Sequence, residues 1–230
     1  MQVKATTILN QYKDLYALDI LKSLATDFDK VVFSTSFGKE DQVITEMISS
    51  QNLLVSIFTL DTGRLFEETQ EVFHRTLNKY QIDIQVFFPN QNSVQDLVSK
   101  KGPYSFYDSV ENRKECCFIR KIEPLKRAIK DKEIWITGLR KTQSENRQSM
   151  EMVEWDEINS IIKIHPLFNW SDEELDAYIG EKNIPINALH KKGFPSIGCS
   201  PCTRAVQQGE DSRAGRWWWE ASKKECGLHS

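Results

Sequence analysis

No apolar run in this 230-residue sequence is long enough to cross a membrane, and residues 1–7 hold no apolar core of signal-peptide length. We therefore expect a protein of the reducing cytoplasm, with no membrane partner. The sequence also lacks an excess of basic residues: 30 Lys and Arg stand against 33 Asp and Glu, a formal net charge of −3 at pH 7. This balance gives no general reason to expect a nucleic-acid partner. Internal repeats and low-complexity segments are absent too. The length of 230 residues suits one large globular domain or one domain with an appendage.

A disulfide framework is a further class that the sequence disfavours. Five cysteines are an odd number, and a chain of this length can build its own core, whereas disulfide-dense folds are small and secreted. The cysteines form an adjacent pair, Cys116–Cys117, a second pair, Cys199 and Cys202, and a single Cys226 near the last residue. Four thiols in two tight groups suit a metal or iron–sulfur centre, and the fifth is spare for chemistry.

The adjacent pair bears on which centre the thiols hold. Structural zinc is most often held by two C-x-x-C knuckles, whereas one half of this site is an adjacent pair whose side chains diverge. A cubane cluster spreads its iron atoms, so that Cys116 and Cys117 can each bind a different one. The spacing favours an iron–sulfur cluster, with structural zinc as the open alternative.

A cluster of basic residues surrounds the first cysteine pair. Residues 112–130 hold seven Lys and Arg against two Glu, which indicates either a solvated helix face or a group of cations that balances thiolate charge. Because proline cannot continue a helix unnoticed, we expect a kink or restart at Pro124. The apolar residues of this helix fall on one side, which would leave Lys121 free to face the site.

Alternating strand and helix patterns predict an α/β fold with a mostly parallel, doubly wound sheet. Short runs rich in β-branched residues predict four strands, at 31–34, 53–58, 82–88 and 134–137. A capping box at Ser171–Glu174 predicts the start of a later helix. Residues 183–216 are rich in Pro and Gly and predict irregular chain. We expect a nucleotide-binding α/β domain at 1–180 and an extension at 181–230, both within one structural domain overall.

Polar loops follow three of the predicted strands, at residues 34–41, 60–63 and 138–147, and the last of them, which includes Arg140 and Arg147, is expected to supply cations. The carboxyl ends of parallel strands meet at one edge of a sheet, where ligands bind in open α/β folds. The first loop combines small hydroxyls, a glycine and a helix start, which together favour an anionic group. The sequence therefore predicts an anion site at this edge, although a capped strand–helix turn would give the first loop the same composition.

Cys226 lies among residues that favour its reactivity. Lysines at 223 and 224 and His229 favour the thiolate, and Gly227 allows movement of the backbone. An incidental exposed cysteine is the alternative.

Taken together, these motifs resemble the assimilatory adenylylsulfate (APS) reductases, the iron–sulfur branch of the APS/PAPS reductases within the adenine-nucleotide α-hydrolase fold. The resemblance covers roughly residues 30–230. Its most specific part is the two cysteine pairs followed by the E-C-G-L-H stretch that contains Cys226. The other matching stretches lie at 36–41, 60–63, 116–121, 138–140 with 143–144, 164–167, 198–203 and 215–220.

The resemblance implies a role for each matching residue. Cys226 would be the catalytic nucleophile, and Lys121 would bridge between a 4Fe–4S cluster and the substrate. The implied ligands of that cluster are Cys116, Cys117, Cys199 and Cys202. The implied nucleotide contacts are Ser36, Gly38, Leu60 and Gly138. The implied phosphosulfate contacts are Arg147, Arg213, Arg216 and His229.

The resemblance also implies a reaction and its partners. APS would be reduced to sulfite and AMP through a thiosulfonate on Cys226, with thioredoxin or glutaredoxin as the thiol donor. A PAPS reductase, or an enzyme that accepts both nucleotides, is the nearest alternative. A tRNA-thiolating ATP pyrophosphatase is more distant, because it requires an intact pyrophosphate loop and a basic RNA face. A zinc-stabilised nucleotide-binding module without catalysis also stays open, as do a homo-oligomeric state and a redox role of the cluster.

Overall fold

The structure is a computed structural model that describes residues 2–143 and 150–220. It divides into two compact units, neither of which is continuous in sequence. We call the first the sheet unit, which comprises residues 2–59, 71–85, 131–143 and 150–187. We call the second the cysteine unit, which comprises residues 60–70, 86–130 and 188–220. The expected functional division into 1–180 and 181–230 stays a prediction.

Six strands form one sheet in the order β3-β2-β1-β4-β6-β5. The strands are β1 Val31–Ser34, β2 Ser56–Leu60, β3 Ile84–Phe87, β4 Ile134–Ile136, β5 Val153–Asp156 and β6 Ile161–Ile164. Strand β1 pairs in parallel with β2 and β4, and β4 pairs in parallel with β6. Strand β5 pairs antiparallel with β6. The predicted α/β fold with a mostly parallel sheet is therefore confirmed.

Strand β4 explains why the central strands are recognisable from sequence. All three of its residues are fully buried, because helices cover both faces of a parallel sheet and each face therefore needs apolar side chains. The edge hairpin of β5 and β6 does not follow that pattern and was not predicted. Each of these strands carries charges, and Lys163 on β6 pairs with Asp156 on β5 at 2.8 Å.

Eight α-helices lie in the described part of the chain. They are α1 Gln2–Tyr12, α2 Ala17–Asp27, α3 Lys39–Ser50, α4 Glu67–Tyr80, α5 Gln91–Lys101, α6 Val110–Cys117, α7 Glu123–Ala128 and α8 Asp172–Glu181. The predicted capping box begins α8: the Ser171 hydroxyl accepts from the N–H of Glu174, and the Glu174 carboxylate accepts from the N–H of Ser171. None of the described helices is long and apolar enough to span a membrane.

The helix after the cysteine pair changes its winding, as Pro124 requires. Helix α6 is followed by a π-helical turn, Phe118–Ile122, and then by α7, which carries Pro124 in its first turn. A proline fits there because the first N–H groups of a helix have no partner within it. The chain thus restarts its helix at the predicted place.

The predicted irregular region is largely free of long regular elements. Residues 188–216 contain two short 3₁₀ helices, Ala188–Lys192 and Ser200–Cys202, and one isolated bridge between Thr203 and Arg216. Gly215 allows this bridge to form, because a Cβ there would fall 2.2 Å from the carbonyl oxygen of Arg204. Two distant parts of the extension therefore run side by side.

Candidate active site

The cysteine unit gathers four cysteines, Cys116, Cys117, Cys199 and Cys202, into one buried cluster with Leu97, Phe106 and Trp217. The end of α6 supplies the adjacent pair. Cys199 precedes the short turn Ser200–Cys202, and Cys202 is the last residue of that turn. That turn is closed by the N–H of Cys202, which donates to the Cys199 carbonyl at 2.9 Å. The Thr203 hydroxyl donates to the same carbonyl at 3.0 Å. All four side chains are thiols in the structure.

Burial and mutual repulsion act on these thiols. Burial raises the pKa of Cys202 to about 12, and the neighbouring Cys199 and Cys117 add to the shift. Burial also raises the pKa of Cys116, although Arg120 and Arg64 oppose it. The four sulfurs are thus close enough to interact electrostatically, and as thiolates they would require positive charge around them.

Cys199 is the exception. Burial alone would raise the pKa of its thiol, but Lys121, the Thr62 hydroxyl and Arg216 together outweigh burial and hold that pKa below its usual value. The Cys199 sulfur lies 3.4 Å from the Thr62 hydroxyl oxygen. Because Thr62 is in the loop that follows β2, this loop reaches the cysteines directly.

Five cations act on the cysteine cluster. Three belong to the seven basic residues of 112–130, namely Arg113, Arg120 and Lys121. Arg64 and Arg216 come from other segments. The other four basic residues of 112–130 are exposed, so both interpretations of that run apply, each to part of it.

The donor set fits a four-iron cluster. Arg120 hydrogen-bonds Cys116, and Arg113 hydrogen-bonds Cys117. The indole Nε1 of Trp217 is a buried donor with no hydrogen-bond partner among the described residues, and its ring packs within the same cluster. Cys116 and Cys117 are adjacent in sequence, and the ligands of a cubane cluster can each bind a different iron.

Arg216 is held over Gly198. Its guanidinium Nη1 lies 3.3 Å from the Ser196 hydroxyl and 3.5 Å from the Ile197 carbonyl. A Cβ on residue 198 would fall 2.3 Å from Nη2, so only glycine leaves room for the guanidinium group there. The implied phosphosulfate contact is therefore a buried and oriented side chain rather than a mobile surface one.

In the sheet unit, the loop after β1 binds a carboxylate of its own chain. The N–H and the hydroxyl of Ser36 both donate to Asp41 Oδ2, each at 2.6 Å. Gly38 is the N-cap of α3, at which the first helical N–H groups have no partner within the helix. The loop therefore has the donors that an anion site needs, and a nucleotide phosphate would compete with Asp41 for those of Ser36.

Gly138 lies against this loop. A Cβ at position 138 would fall 2.2 Å from Asp41 Oδ1 and 3.2 Å from the backbone nitrogen of Asp41, so the residue must be glycine for the loop and the end of β4 to approach. Arg140, two residues on, was expected to supply a cation to the anion site. It is instead buried and paired with Glu40 at 2.9 Å and with Asp172, so its charge stabilises the fold of the sheet unit.

Of the remaining candidate residues, three lie in the described part of the chain and three lie outside it. Leu60 is the last residue of β2, and Lys121 lies in the π-helical turn, near enough to Cys199 and Cys202 to affect both thiols. The backbone of Arg213 closes a turn with Arg216, whose N–H donates to the Arg213 carbonyl at 2.9 Å. Arg147, Cys226 and His229 lie outside the described residues.

Sequence reasoning singled out none of three partners of the cysteines, Thr62, Arg113 and Arg120, although the last two belong to the basic run 112–130 that was expected to balance thiolate charge. Two of them have a local signal, because residues four apart on a helix share a face. Arg113 precedes Cys117 by four residues, and Arg120 follows Cys116 by four. Thr62 has no such signal, since it is 137 residues from Cys199.

The mostly parallel α/β sheet has a loop suited to an anion, and the buried thiols are surrounded by cations. These two features indicate the class of protein: a nucleotide-binding α/β fold with a thiol centre. Residues 30–205 match the family model of the phosphoadenosine phosphosulfate reductase domain, and the chain belongs to that family.

Individual relatives agree with this assignment. A protein of Allochromatium vinosum named adenosine 5'-phosphosulfate reductase is 47% identical over 218 residues, 94% of this chain and 85% of the relative. The protein of the same name from Neisseria meningitidis serogroup B is 49% identical over 199 residues, 86% of this chain and 81% of the relative.

Solved structures agree as well. The crystal structure of phosphoadenylyl-sulfate (PAPS) reductase from Candida auris, a phosphate complex, superposes with a TM-score of 0.77 at 28% identity. The match covers 90% of this chain and 98% of that one. The FMN adenylyltransferase of Candida glabrata is similar in fold alone, with a TM-score of 0.53 and 15% identity over 92% of this chain and 74% of that one.

Proposed function

We propose that this protein reduces adenosine 5'-phosphosulfate to sulfite and AMP in sulfate assimilation, with a reduced dithiol protein as the electron source. The observation that carries the proposal is the buried cluster of four cysteines from two distant segments, ringed by cations. The relatives that share about half of its residues carry the name of this activity.

In this proposal Cys116, Cys117, Cys199 and Cys202 hold a 4Fe–4S cluster. When bound, the cluster supplies a charged, polarisable centre beside Lys121, and it need not pass electrons because the two reducing equivalents come from external thiols. The polar contacts to the cysteines from Arg120, Arg113 and Thr62 support this role. Such outer contacts orient ligands and set the electrostatics of a metal centre.

Cys226 is the nucleophile of the proposed reaction. Its thiolate attacks the sulfonyl sulfur of the substrate, the bond between that sulfur and the bridging oxygen breaks, and AMP leaves with the electron pair. The product is a thiosulfonate on Cys226. The residues expected to neutralise charge as that bond breaks are Lys121, Arg147, Arg213, Arg216 and His229.

A second thiol step completes the cycle. A thiolate of reduced thioredoxin or glutaredoxin attacks the Cys226 sulfur and expels sulfite, which leaves a mixed disulfide. The second thiol of the donor then attacks that disulfide and restores the Cys226 thiolate. The donor is oxidised by two electrons and the sulfonyl group is reduced to sulfite. These thiol steps require a reducing compartment, and we assign the protein to the cytoplasm.

The nucleotide half of the substrate is assigned to residues at the carboxyl ends of β1, β2 and β4. Ser36 and Gly38 would bind the α-phosphate at the start of α3, and Leu60 and Gly138 would line the adenosine. The paired donors of Ser36 and the close approach at Gly138 support this assignment. Helix starts and small-residue loops favour phosphate because their N–H groups and dipole point at it.

Reduction of PAPS is the second candidate activity, alone or beside APS. Two observations favour it: the match to the phosphoadenosine phosphosulfate reductase domain and the similarity to the Candida auris structure. The two nucleotides differ by one 3'-phosphate.

One assay separates these activities. Sulfite release is measured from APS and from PAPS with reduced thioredoxin, and in parallel with reduced glutaredoxin. We expect release from APS, brown protein with broad visible absorbance, and about four iron atoms per chain. Release from PAPS alone would favour the second candidate. Colourless protein that contains zinc and releases no sulfite would contradict the proposal. It would favour a zinc-stabilised nucleotide-binding module without catalysis.

A further inference from the structure

A buried ion pair joins α6 to the segment just before residue 221. Arg113 Nε donates to Glu220 Oε1 at 2.9 Å, and Arg113 Nη2 donates to Oε2 at 2.8 Å. The two side chains are only 3% and 4% exposed. Such a two-bond arrangement fixes orientation as well as distance, because the planar guanidinium group matches both carboxylate oxygens.

Arg113 makes two further contacts in the same place. It hydrogen-bonds the sulfur of Cys117, one turn along α6. Its guanidinium carbon also lies 4.9 Å from the centroid of the Trp217 ring. One side chain therefore contacts a proposed cluster ligand, an aromatic ring and a carboxylate.

Trp217 connects this arrangement to Arg216. The guanidinium carbon of Arg216 lies 4.8 Å from the centroid of the same ring, so two cations share one indole. Trp217 is fully buried and has a left-handed backbone, with a φ of 41°, which is uncommon for a residue with a side chain. Its N–H donates to the Cys202 carbonyl at 3.1 Å. The segment 216–220 is thus held on the cysteines at several points.

We propose that Arg113 and Glu220 are positioning residues, which fix Cys117 and Arg216 relative to one another and fix the position of Glu220 itself. This inference rests on the proposed function. Cys226 follows Glu220 by six residues, and a chain of that length spans at most about 22 Å. The anchor point therefore limits where the nucleophile can reach.

A brace that only stabilises the fold is the competing explanation. Removing one partner of a buried ion pair usually destabilises a protein, because the other charge is left unpaired. Loss of stability alone therefore does not separate the two explanations. The rate at which Cys226 is sulfonated and the spectrum of the iron centre do separate them, when both are measured on folded, iron-loaded enzyme.

The test uses Arg113→Met, Glu220→Gln and the double variant, in the full-length iron-loaded protein. Lys114→Met is the matched control, because Lys114 is exposed on the same helix. Single-turnover sulfonation with APS and no thiol donor is followed by mass, and the centre is followed by visible and electron paramagnetic resonance spectra. Thermal unfolding and iron content are recorded for every variant.

Misplacement of reacting groups by about 1 Å lowers rates by up to about a hundredfold, so we expect each single variant to lose about tenfold or more in sulfonation rate per iron-loaded molecule. The double variant should be no slower than the slower single variant, because the two residues act as one unit. Arg113→Met should also shift the spectrum, because it removes a donor to Cys117. Lys114→Met should match the wild type in all measurements.

Wild-type sulfonation rates and spectra in Arg113→Met and Glu220→Gln, with or without a lower melting temperature, would overturn the inference. Purely additive losses in the double variant would do the same. If Arg113→Met does not fold, Arg113→Lys decides with Glu220→Gln, because lysine keeps the charge and loses the two-bond geometry. Wild-type protein without iron or without sulfonation would instead contradict the proposed function.

Discussion

The position of the Arg216 side chain depends on the absence of a side chain at Gly198. The guanidinium group of Arg216 lies against the backbone of residue 198, within 2.3 Å of where a Cβ would be. The same guanidinium group contacts Trp217 and the Ser196 hydroxyl, and these contacts hold it in one orientation. A methyl group at 198 would displace the guanidinium group from that orientation.

For this reason Gly198→Ala should weaken APS binding more than it weakens the fold. A charge-assisted contact is worth about 1.5–3 kcal/mol, which corresponds to a rise in the dissociation constant of about 10- to 150-fold. Binding of APS to Cys226→Ser protein, with and without the glycine substitution, measures the effect by calorimetry. Gly180→Ala is the control, because no atom lies within 4 Å of its added Cβ. Unchanged affinity would remove Arg216 from the substrate site.

Cys226 is the residue on which the proposed chemistry depends. Cys226→Ser should keep its iron and its nucleotide binding but lose sulfite formation, because a serine hydroxyl is a poor nucleophile near neutral pH. Wild-type protein mixed with APS and no thiol donor should gain the mass of one sulfonate on the peptide that contains Cys226. A sulfonate on another cysteine would assign the nucleophile elsewhere.

At the scale of elements, the end of α6 and the turn Ser200–Cys202 each bring two cysteines to one place. Replacing any one of Cys116, Cys117, Cys199 or Cys202 by Ser should lower iron content and sulfite formation together, because each is a proposed ligand. Iron analysis and the sulfite assay on the same preparations check this. A single-cysteine variant with full iron and full turnover would contradict the ligand assignment.

The hairpin of β5 and β6 contains a buried pair, Asp156 and Lys163, with side chains 4% and 6% exposed. Burial alone would raise the pKa of Asp156, but Lys163 and Asn159 outweigh it and hold that pKa below its usual value. A carboxyl with a lowered pKa stabilises the fold above its unfolded-state pKa, and that stabilisation is lost as the pH falls through the folded-state pKa.

Lys163→Met should therefore lower the free energy of unfolding at neutral pH by about 3–5 kcal/mol, because Asp156 is left buried and charged. The difference in the free energy of unfolding between Lys163→Met and wild type should become smaller as the pH falls to about 4. At that pH the unpaired Asp156 of the variant takes up a proton, whereas Asp156 of the wild type stays ionised. Urea unfolding at both pH values measures this. Lys100→Met, which breaks an exposed pair with Asp96, is the control and should change stability by less than about 1 kcal/mol. If the stability difference between Lys163→Met and wild type does not vary with pH, Lys163 does not act through the charge of Asp156.

At the scale of the whole molecule, the two units have different cores. The core of the sheet unit is aliphatic and aromatic, and includes residues such as Phe33, Ile134 and Ile164, each fully buried. In the cysteine unit, four of the seven buried residues that pack in one cluster around the thiols are cysteines. Buried thiolates repel one another unless a bound metal centre neutralises them. Binding of that metal centre adds directly to the free energy of folding.

Removal of iron with a chelator under reducing conditions should therefore loosen the cysteine unit and spare the sheet unit. Hydrogen exchange should increase in peptides that cover residues 110–117, 199–203 and 216–219. It should stay unchanged in peptides that cover β1, β4 and β6. Uniform loss of protection in both sets would show that the centre supports the whole fold.

Sequence alone determined the features that depend on neighbouring residues or on residue chemistry. The strands β1 and β4, the capping box at Ser171 and the helix restart at Pro124 follow from local patterns and were predicted at their places. Strand β2 was predicted at 53–58 and lies at 56–60, because its pairing with β1 places Ser56 opposite Val32. The identity of the four candidate cluster ligands follows from their chemistry and spacing.

Only the tertiary structure decided which distant groups meet. Arg113 and Glu220 are 107 residues apart, and Thr62 and Cys199 are 137 apart, so no local pattern records either contact. The β5–β6 hairpin was not predicted because its buried positions include two charged residues, Asp156 and Lys163, which pair with each other across the strands. Arg140 looked like a free cation until the fold brought Glu40 and Asp172 to it. In the three cases that involve ion pairs, a buried charge is tolerated only because folding brings its partner within hydrogen-bonding distance.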